Sequence, residues 1–217
     1  MQAYTVATSL FELLAILAGF YCINKLALPY KLLLLQVFLA FVNDIVAWAV
    51  QKYAGYNNVL LYNIYTVIEV WLLGSACWLL LTSSNIRQVV KYLIPCLTIV
   101  WIIITIVNGI NVFNNWTVIT NAIFYIIFYL VLLIDNSIFN HKKLYKQPLF
   151  LIAMAIIIYY ATIIPLFGLM NYLTSNNMQL AGKLFKINFA AAILRYALVA
   201  IAFYLYGRQA KRAYVRE

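Results

Sequence analysis

Seven apolar segments, each about as long as a membrane-spanning helix, limit what this 217-residue chain can fold into. A helix needs about 20 mostly apolar residues to cross the hydrocarbon core of a bilayer. Only 9% of the residues are charged, so the chain lacks the polar surface that a soluble domain shows to water. The sequence therefore predicts an all-α, seven-transmembrane-helix bundle that forms a single domain over residues 1–217. The predicted helices cover residues 4–24, 32–50, 59–81, 89–108, 115–134, 149–171 and 184–206.

The connections between these segments are short and alternate in their content of basic residues. Short connections predict that consecutive helices are antiparallel neighbours. One predicted side of the bundle holds Lys25, Lys31, Arg87, Lys91, Lys142, Lys143, Lys146, Arg208, Lys211, Arg212 and Arg216, and the other holds Lys52, Lys183 and Lys186. Because Lys and Arg are enriched in cytoplasmic loops, this asymmetry predicts an N-terminus outside and a C-terminus in the cytoplasm.

The net charge of +10 has a simple explanation in this setting. In a soluble protein such a charge would point to nucleic acid as a partner. Here most of the basic residues lie between apolar runs, where they meet anionic lipid headgroups. The predicted partner is therefore the lipid bilayer, and no nucleic acid is expected.

Four ionisable residues lie well inside predicted spans, namely Glu12, Asp44, Glu69 and Arg195. An isolated charge near the bilayer centre costs about 2.5–3.5 kcal/mol on insertion scales, so each of these side chains must face protein or water. Counted from the predicted outer helix ends, all four lie between the outer surface and the midplane. Glu69 and Arg195 reach similar depths, about 15 and 16 Å, and are predicted to pair.

Uncharged polar residues accompany these charges on several helices. Asn63 lies near Glu69, Tyr159 and Tyr160 lie near the middle of the sixth helix, and Asn188 precedes Arg195 in the seventh. Asn121 in the fifth helix is either a further lining residue or an interhelical hydrogen-bond partner. The predicted ligand-binding residues are Glu12, Asp44, Asn63, Glu69, Tyr159, Tyr160, Asn188 and Arg195.

The charge balance of this predicted cluster leaves several interpretations open. Three acids and one base cannot all stay ionised in a buried site without compensation, since burial and like charges both disfavour ionisation. One or two carboxyls are protonated, or a cation such as Na⁺ sits among them, or a ligand amine completes the set while Arg195 holds the ligand's carboxylate or phosphate. A purely structural interpretation, in which the four residues pair to hold the bundle together, is a further alternative.

Other chemistries lack the residues that they need. A retinal Schiff base requires a lysine midway along the last helix, where this chain has Arg195. The one histidine, His141, lies in a connection among lysines, so neither a multi-histidine zinc site nor a nucleophile–base pair can form in the membrane. Cys22, Cys77 and Cys96 lie in apolar runs and are expected to behave as small hydrophobic residues. No enzyme activity, cofactor, metal site or disulfide is expected.

Three segments resemble a group of bacterial seven-helix integral membrane proteins of about this length that have no firm function. The segments are "NIYTVIEVW" (63–71), "QPLFLIAMAIIIYYATIIPLF" (147–167) and "KINFAAAILRYALVAIAFY" (186–204). The resemblance implies the seven-helix architecture. The matching positions are Asn63, Tyr65, Glu69, Tyr159, Tyr160 and Asn188.

These features favour a sensor or binding protein of the cell inner (plasma) membrane. A small polar or cationic ligand would enter from outside into a pocket among the first, second, third, sixth and seventh helices, and a membrane or cytoplasmic partner protein would carry the signal. A small ion- or proton-coupled transporter is the first alternative, although the apolar inner halves of the helices, with Gln36 and Asn24 as exceptions, disfavour a route to the cytoplasm. A structural subunit of a larger membrane complex is the second alternative.

Overall fold

The computed structural model describes residues 2–55, 58–140, 143–176 and 178–214, and this part of the chain contains helices and short connections but no strand. Each of the seven long helices contains a segment long and apolar enough to cross a membrane. This confirms the predicted all-α, seven-helix architecture, which is that of a multi-pass membrane protein. The helices are α1 (Gln2–Tyr21), α2 (Leu28–Ala49), α3 (Val59–Leu80), α4 (Ser84–Asn108), α5 (Asn115–Asp135), α6 (Pro148–Asn176) and α7 (Met178–Tyr214).

Several helix ends differ from the predicted bounds. α1 ends three residues early, because Ile23–Lys25 forms a short 3₁₀ turn before a proline opens α2. α7 is much longer than its predicted span of 184–206, since it continues to Tyr214. The residues after Tyr206 are mainly Gln, Ala, Lys and Arg, which are good helix formers, so the helix extends beyond its apolar part.

The helices are arranged as a ring with one helix outside it. α1 packs against α2 and α7, and the ring continues through α3, α5 and α6, while α4 packs mainly against the outer side of α3 and α5. Asn63 near the start of α3 donates hydrogen bonds to the carbonyls of Ile110 and Val112, which follow α4. Thr82 after α3 donates its backbone N–H to Asp135 at the end of α5 over 2.6 Å. α3 therefore runs antiparallel to α4 and parallel to α5.

Apolar side chains fill one half of the bundle. This closed half comprises the C-terminal parts of α1, α3, α5 and α7 together with the N-terminal parts of α2, α4 and α6. The Tyr129 hydroxyl is buried there and donates to the carbonyl of Leu73 over 3.1 Å. Large side chains that are almost entirely buried in this half include Leu73, Tyr129, Leu132, Leu133, Ile152 and Phe203.

A close approach between α1 and α7 seals the end of the closed half. A Cβ atom added to Gly207 would lie 2.7 Å from the Cβ atom of Cys22, which is too close for two carbon atoms. We expect Gly207→Ala to lower the free energy of unfolding by about 1–3 kcal/mol, because overpacking forces the helices apart. Gly182→Ala is the matched control, since nothing lies within 4 Å of the added atom. That substitution should stabilise α7 by about 1 kcal/mol in equilibrium unfolding, and equal effects of the two substitutions would contradict the packing.

Candidate functional site

A cavity of about 780 Å³ occupies the other half of the bundle. Six helices and the α4–α5 connection line it, whereas no residue of α4 itself does. The cavity reaches the end of the bundle, because Asn58 and Asn115, at the starts of α3 and α5, belong to its lining. Its volume lies in the range typical of small-molecule sites, about 300–1,000 Å³. We call it the polar cavity.

The ion pair predicted from depth is present at the base of the polar cavity. Nη2 of Arg195 donates to Oε1 of Glu69 over 3.3 Å, and the two side chains are only 3% and 14% exposed. Two further groups donate to the same carboxylate oxygen. Nε2 of Gln36 lies 2.9 Å from it and the hydroxyl of Tyr65 lies 3.4 Å from it. Oε1 of Glu69 is therefore held entirely by groups of the protein.

Aromatic rings surround the guanidinium of Arg195. Its central carbon lies 4.6 Å from the ring centroid of Tyr159, 5.3 Å from that of Tyr160 and 5.5 Å from that of Tyr196. A cation above an aromatic face is stabilised by the ring quadrupole, most strongly when it is desolvated. Glu69 and the three rings together explain how a fully buried guanidinium is accommodated.

Glu12 and Asp44 lie apart from this pair on the wall formed by α1 and α2. Glu12 is 1% exposed and lies beside Tyr196, and Asp44 accepts a hydrogen bond of 3.4 Å from the hydroxyl of Tyr62. Within the described ranges, neither carboxyl forms an ion pair with Lys or Arg. Lys183 and Lys186 do not line the polar cavity but an adjoining one of about 420 Å³ near the start of α7, which shares Phe185 and Phe189 with it. The polar cavity therefore carries two acidic groups that no basic side chain neutralises.

Several buried polar atoms of the lining have no hydrogen-bond partner. A polar group buried without a partner costs about 1–3 kcal/mol, so a cluster of such groups calls for an explanation. All of these atoms belong to residues that line the polar cavity. These atoms are Oε2 of Glu12, Nδ2 of Asn43, Oδ1 of Asn121, the hydroxyls of Tyr125 and Tyr160, and Oδ1 of Asn188.

The structure brings most of the predicted binding residues together. Glu12, Asp44, Glu69, Tyr159, Tyr160, Asn188 and Arg195 all line the polar cavity. Asn63 does not line it, because its amide is turned to the connection after α4, where it bonds the carbonyls of Ile110 and Val112 at 2.8 and 3.0 Å. Ligand binding by the seven lining residues stays a prediction, whereas Asn63 is placed as a residue that shapes the cavity's outer end.

Sequence reasoning did not assign Gln36, Tyr125 or Tyr196 to the site. Gln36 is fully buried and joins Tyr65 to Glu69, since its Nε2 also bonds the Tyr65 hydroxyl over 2.7 Å. Tyr125 and Tyr196 belong to the lining, and Asn121, for which two roles were open, lines it as well. The spacing of Gln36, Ala40 and Asn43 at three and four residues was a usable signal for the inward face of α2. The tyrosines carry no such signal, because tyrosine is common at membrane interfaces too.

Comparison with known proteins does not assign the chain to a family. No family model, no curated protein and no solved structure matches it. The resemblance to bacterial seven-helix proteins therefore stays a prediction, and the function must be argued from the site itself.

Proposed function

We propose that this chain is a membrane sensor or binding protein that takes a small polar ligand into the polar cavity. The observation that carries the proposal is the lining itself. Six residues that line one space of about 780 Å³ carry a buried polar atom without a partner, and among the lining carboxyls Glu12 and Asp44 form no ion pair in the described part of the chain. An internal ion-pair network would leave no such surplus, since each charge in it would have a partner.

We also propose an orientation in the membrane and a cellular location for the protein. Basic residues dominate the end of the closed half, which supports a cytoplasmic location for that end and an outside location for the cavity end. A bacterial inner membrane is the proposed location. A ligand would then enter from outside, through the end of the bundle formed by the start of α3 and the connection between α4 and α5.

A long helix offers a route for a signal from the cavity to a partner protein. α7 contributes Arg195 to the cavity and continues without a break to Tyr214. Its 37 residues span about 55 Å, which exceeds the hydrocarbon thickness of about 30 Å. A displacement of α7 on ligand binding would therefore also move its cytoplasmic end, where we propose that a partner protein detects the change.

Transport and a purely structural role have less support. A transporter needs a second route from the cavity to the cytoplasm, and the closed half is packed with buried apolar side chains such as Leu73 and Phe203. A structural subunit that holds its helices together with ion pairs would provide basic partners for Glu12 and Asp44. We therefore rank binding above both alternatives.

A thermal-stability screen with a cavity-filling variant tests the proposal. Ala192 is buried and lines the cavity, so Ala192→Leu narrows it without changing any charge. The panel contains Na⁺, organic amines, organic anions, amino acids and lipids. A ligand at a hundredfold excess over its Kd stabilises the folded protein by about 2.7 kcal/mol, so at least one class should raise the melting temperature of the wild type.

The matched control is Ala190→Leu, two residues away and exposed outside the cavity. We expect the ligand-induced rise to disappear in Ala192→Leu and to persist in Ala190→Leu. If no class raises the melting temperature, or if the rise is the same in both variants, the polar cavity is not a binding site.

A further inference from the structure

The unsatisfied groups of the polar cavity also indicate the chemical class of the ligand. This step rests on the proposed function, because it assumes that the cavity is occupied. Glu69 and Arg195 neutralise each other, and Oε1 of Glu69 is already occupied by three donors of the protein. Neither member of this pair therefore needs a charged ligand. The remaining acidic groups, Glu12 and Asp44, indicate what the ligand must supply.

Glu12 and Asp44 both line the polar cavity with their carboxyl groups. They lie on α1 and α2, two helices that pack against each other. Oε2 of Glu12 is buried and lacks a donor, and the one donor contact of Asp44 comes from Tyr62 at 3.4 Å. A buried carboxylate requires either a positive charge or strong hydrogen-bond donors, and an ammonium group supplies both at once.

Independent features of the lining point to an organic ligand rather than a bare ion. Asn121, Tyr125 and Tyr160 line the cavity on the wall opposite α1 and α2. They are 3%, 1% and 2% exposed, and each carries a buried polar atom without a partner. A single ion beside Glu12 and Asp44 would leave that wall unsatisfied. Within the described part of the chain, no three acidic, His or Cys side chains come together as a metal site.

The rings around the cavity suit an organic cation. Tyr62, Tyr196 and Phe189 are lining residues on the helices that flank the acidic wall. Aromatic faces bind organic ammonium groups and also pack against an apolar ligand body. We propose that the polar cavity binds an organic amine, with its ammonium group between Glu12 and Asp44 and its body directed toward Asn121, Tyr125 and Tyr160.

Phenethylamine and 2-phenylethanol are suitable probes, because they share a body and differ in the charged group. We expect phenethylamine to raise the melting temperature of the full-length protein in detergent at pH 7, while 2-phenylethanol and sodium chloride at equal concentration do not. Glu12→Gln and Asp44→Asn should each raise the half-maximal phenethylamine concentration at least about tenfold, equivalent to about 1.4 kcal/mol. Glu12 is buried, so Glu12→Gln could prevent folding. In that case Asp44→Asn alone tests the proposal, because Asp44 is partly exposed.

The outcomes separate this inference from the proposed function. An organic anion, a neutral ligand or Na⁺ could stabilise the wild type instead, with an effect that Ala192→Leu abolishes. That result would support the polar cavity as a binding site but contradict the proposal that its ligand is an amine. An undiminished effect of phenethylamine in both acid variants would also overturn it. If no probe in the wider panel stabilises the wild type, the proposed function fails together with this inference.

Discussion

Replacing Arg195 with methionine will lower the free energy of unfolding by about 3–5 kcal/mol, because it leaves the Glu69 carboxylate buried without its cation. The guanidinium is 3% exposed and donates to Oε1 of Glu69 over 3.3 Å. Three tyrosine rings that now enclose a cation would face a neutral thioether. Equilibrium unfolding of the purified protein in detergent micelles measures the loss.

A double-mutant cycle provides the control for this prediction. Glu69→Gln alone leaves the guanidinium without its anion. Arg195→Met combined with Glu69→Gln removes both charges, so no unpaired charge remains from this pair inside the bundle. The double variant should therefore lose less stability than the two single variants together. Additive losses would mean that the two side chains do not interact in the folded protein, and the arrangement at the base of the cavity would be wrong.

Replacing Phe203 with alanine should produce the second large effect, a loss of about 3–5 kcal/mol. Phe203 is entirely buried in the closed half, so the substitution creates a cavity that the surrounding helices cannot fill. Tyr204→Ala is the matched control, since the next residue along α7 is 55% exposed and its loss removes little packing. The same unfolding measurement compares the two variants.

The Phe203 variant also separates stability from ligand binding. Phe203 lies in the closed half, away from the lining of the polar cavity. Any ligand that stabilises the wild type should therefore still raise the melting temperature of Phe203→Ala by a similar amount. Similar losses of stability in the two alanine variants would contradict the packing of the closed half, and loss of ligand stabilisation in Phe203→Ala alone would contradict the separation of the two halves.

The sequence predicted the charged pair because two physical limits applied together. An unpaired charge is costly in lipid, and the constant rise of a helix converts sequence distance into depth. Those limits were enough to match Glu69 with Arg195, although α3 and α7 are not adjacent in the ring. They also placed Glu12 and Asp44 in the same half of the bundle, where the structure has them.

Rotation of each helix about its axis was harder to predict. Helices that are apolar on all sides show no inward face in their hydrophobic pattern. Asn63 illustrates this difficulty, since it lies six residues before Glu69 and therefore about 120° away around α3. This offset turns it toward the α4–α5 connection rather than into the cavity. Counting the angle would have separated it from Tyr62 and Glu69, which lie about 100° and 120° from it around the helix.

The order of the helices in the ring could not be predicted from the sequence either. Short connections predict that neighbours in sequence are neighbours in space, but they do not show that α4 lies outside the ring. Because α4 is displaced, α5 reaches the cavity and supplies Asn121 and Tyr125. Which helix is displaced depends on side-chain packing among several helices, and neither hydropathy nor charge records it.

The central claim is that the polar cavity is open to water at one end and closed at the other. Thr66 lines the cavity on α3, and Cys77 is fully buried further along the same helix. The most direct test uses a Thr66→Cys variant in which the exposed Cys96 is also replaced by Ser. A charged thiol reagent is added to one side of sealed membrane vesicles that contain this variant, and its reaction with each cysteine is measured. We predict that Cys introduced at position 66 reacts from the side that carries the α4–α5 connection only, and that Cys77 reacts from neither side. Reaction at position 66 from both sides, or from neither, would contradict the account.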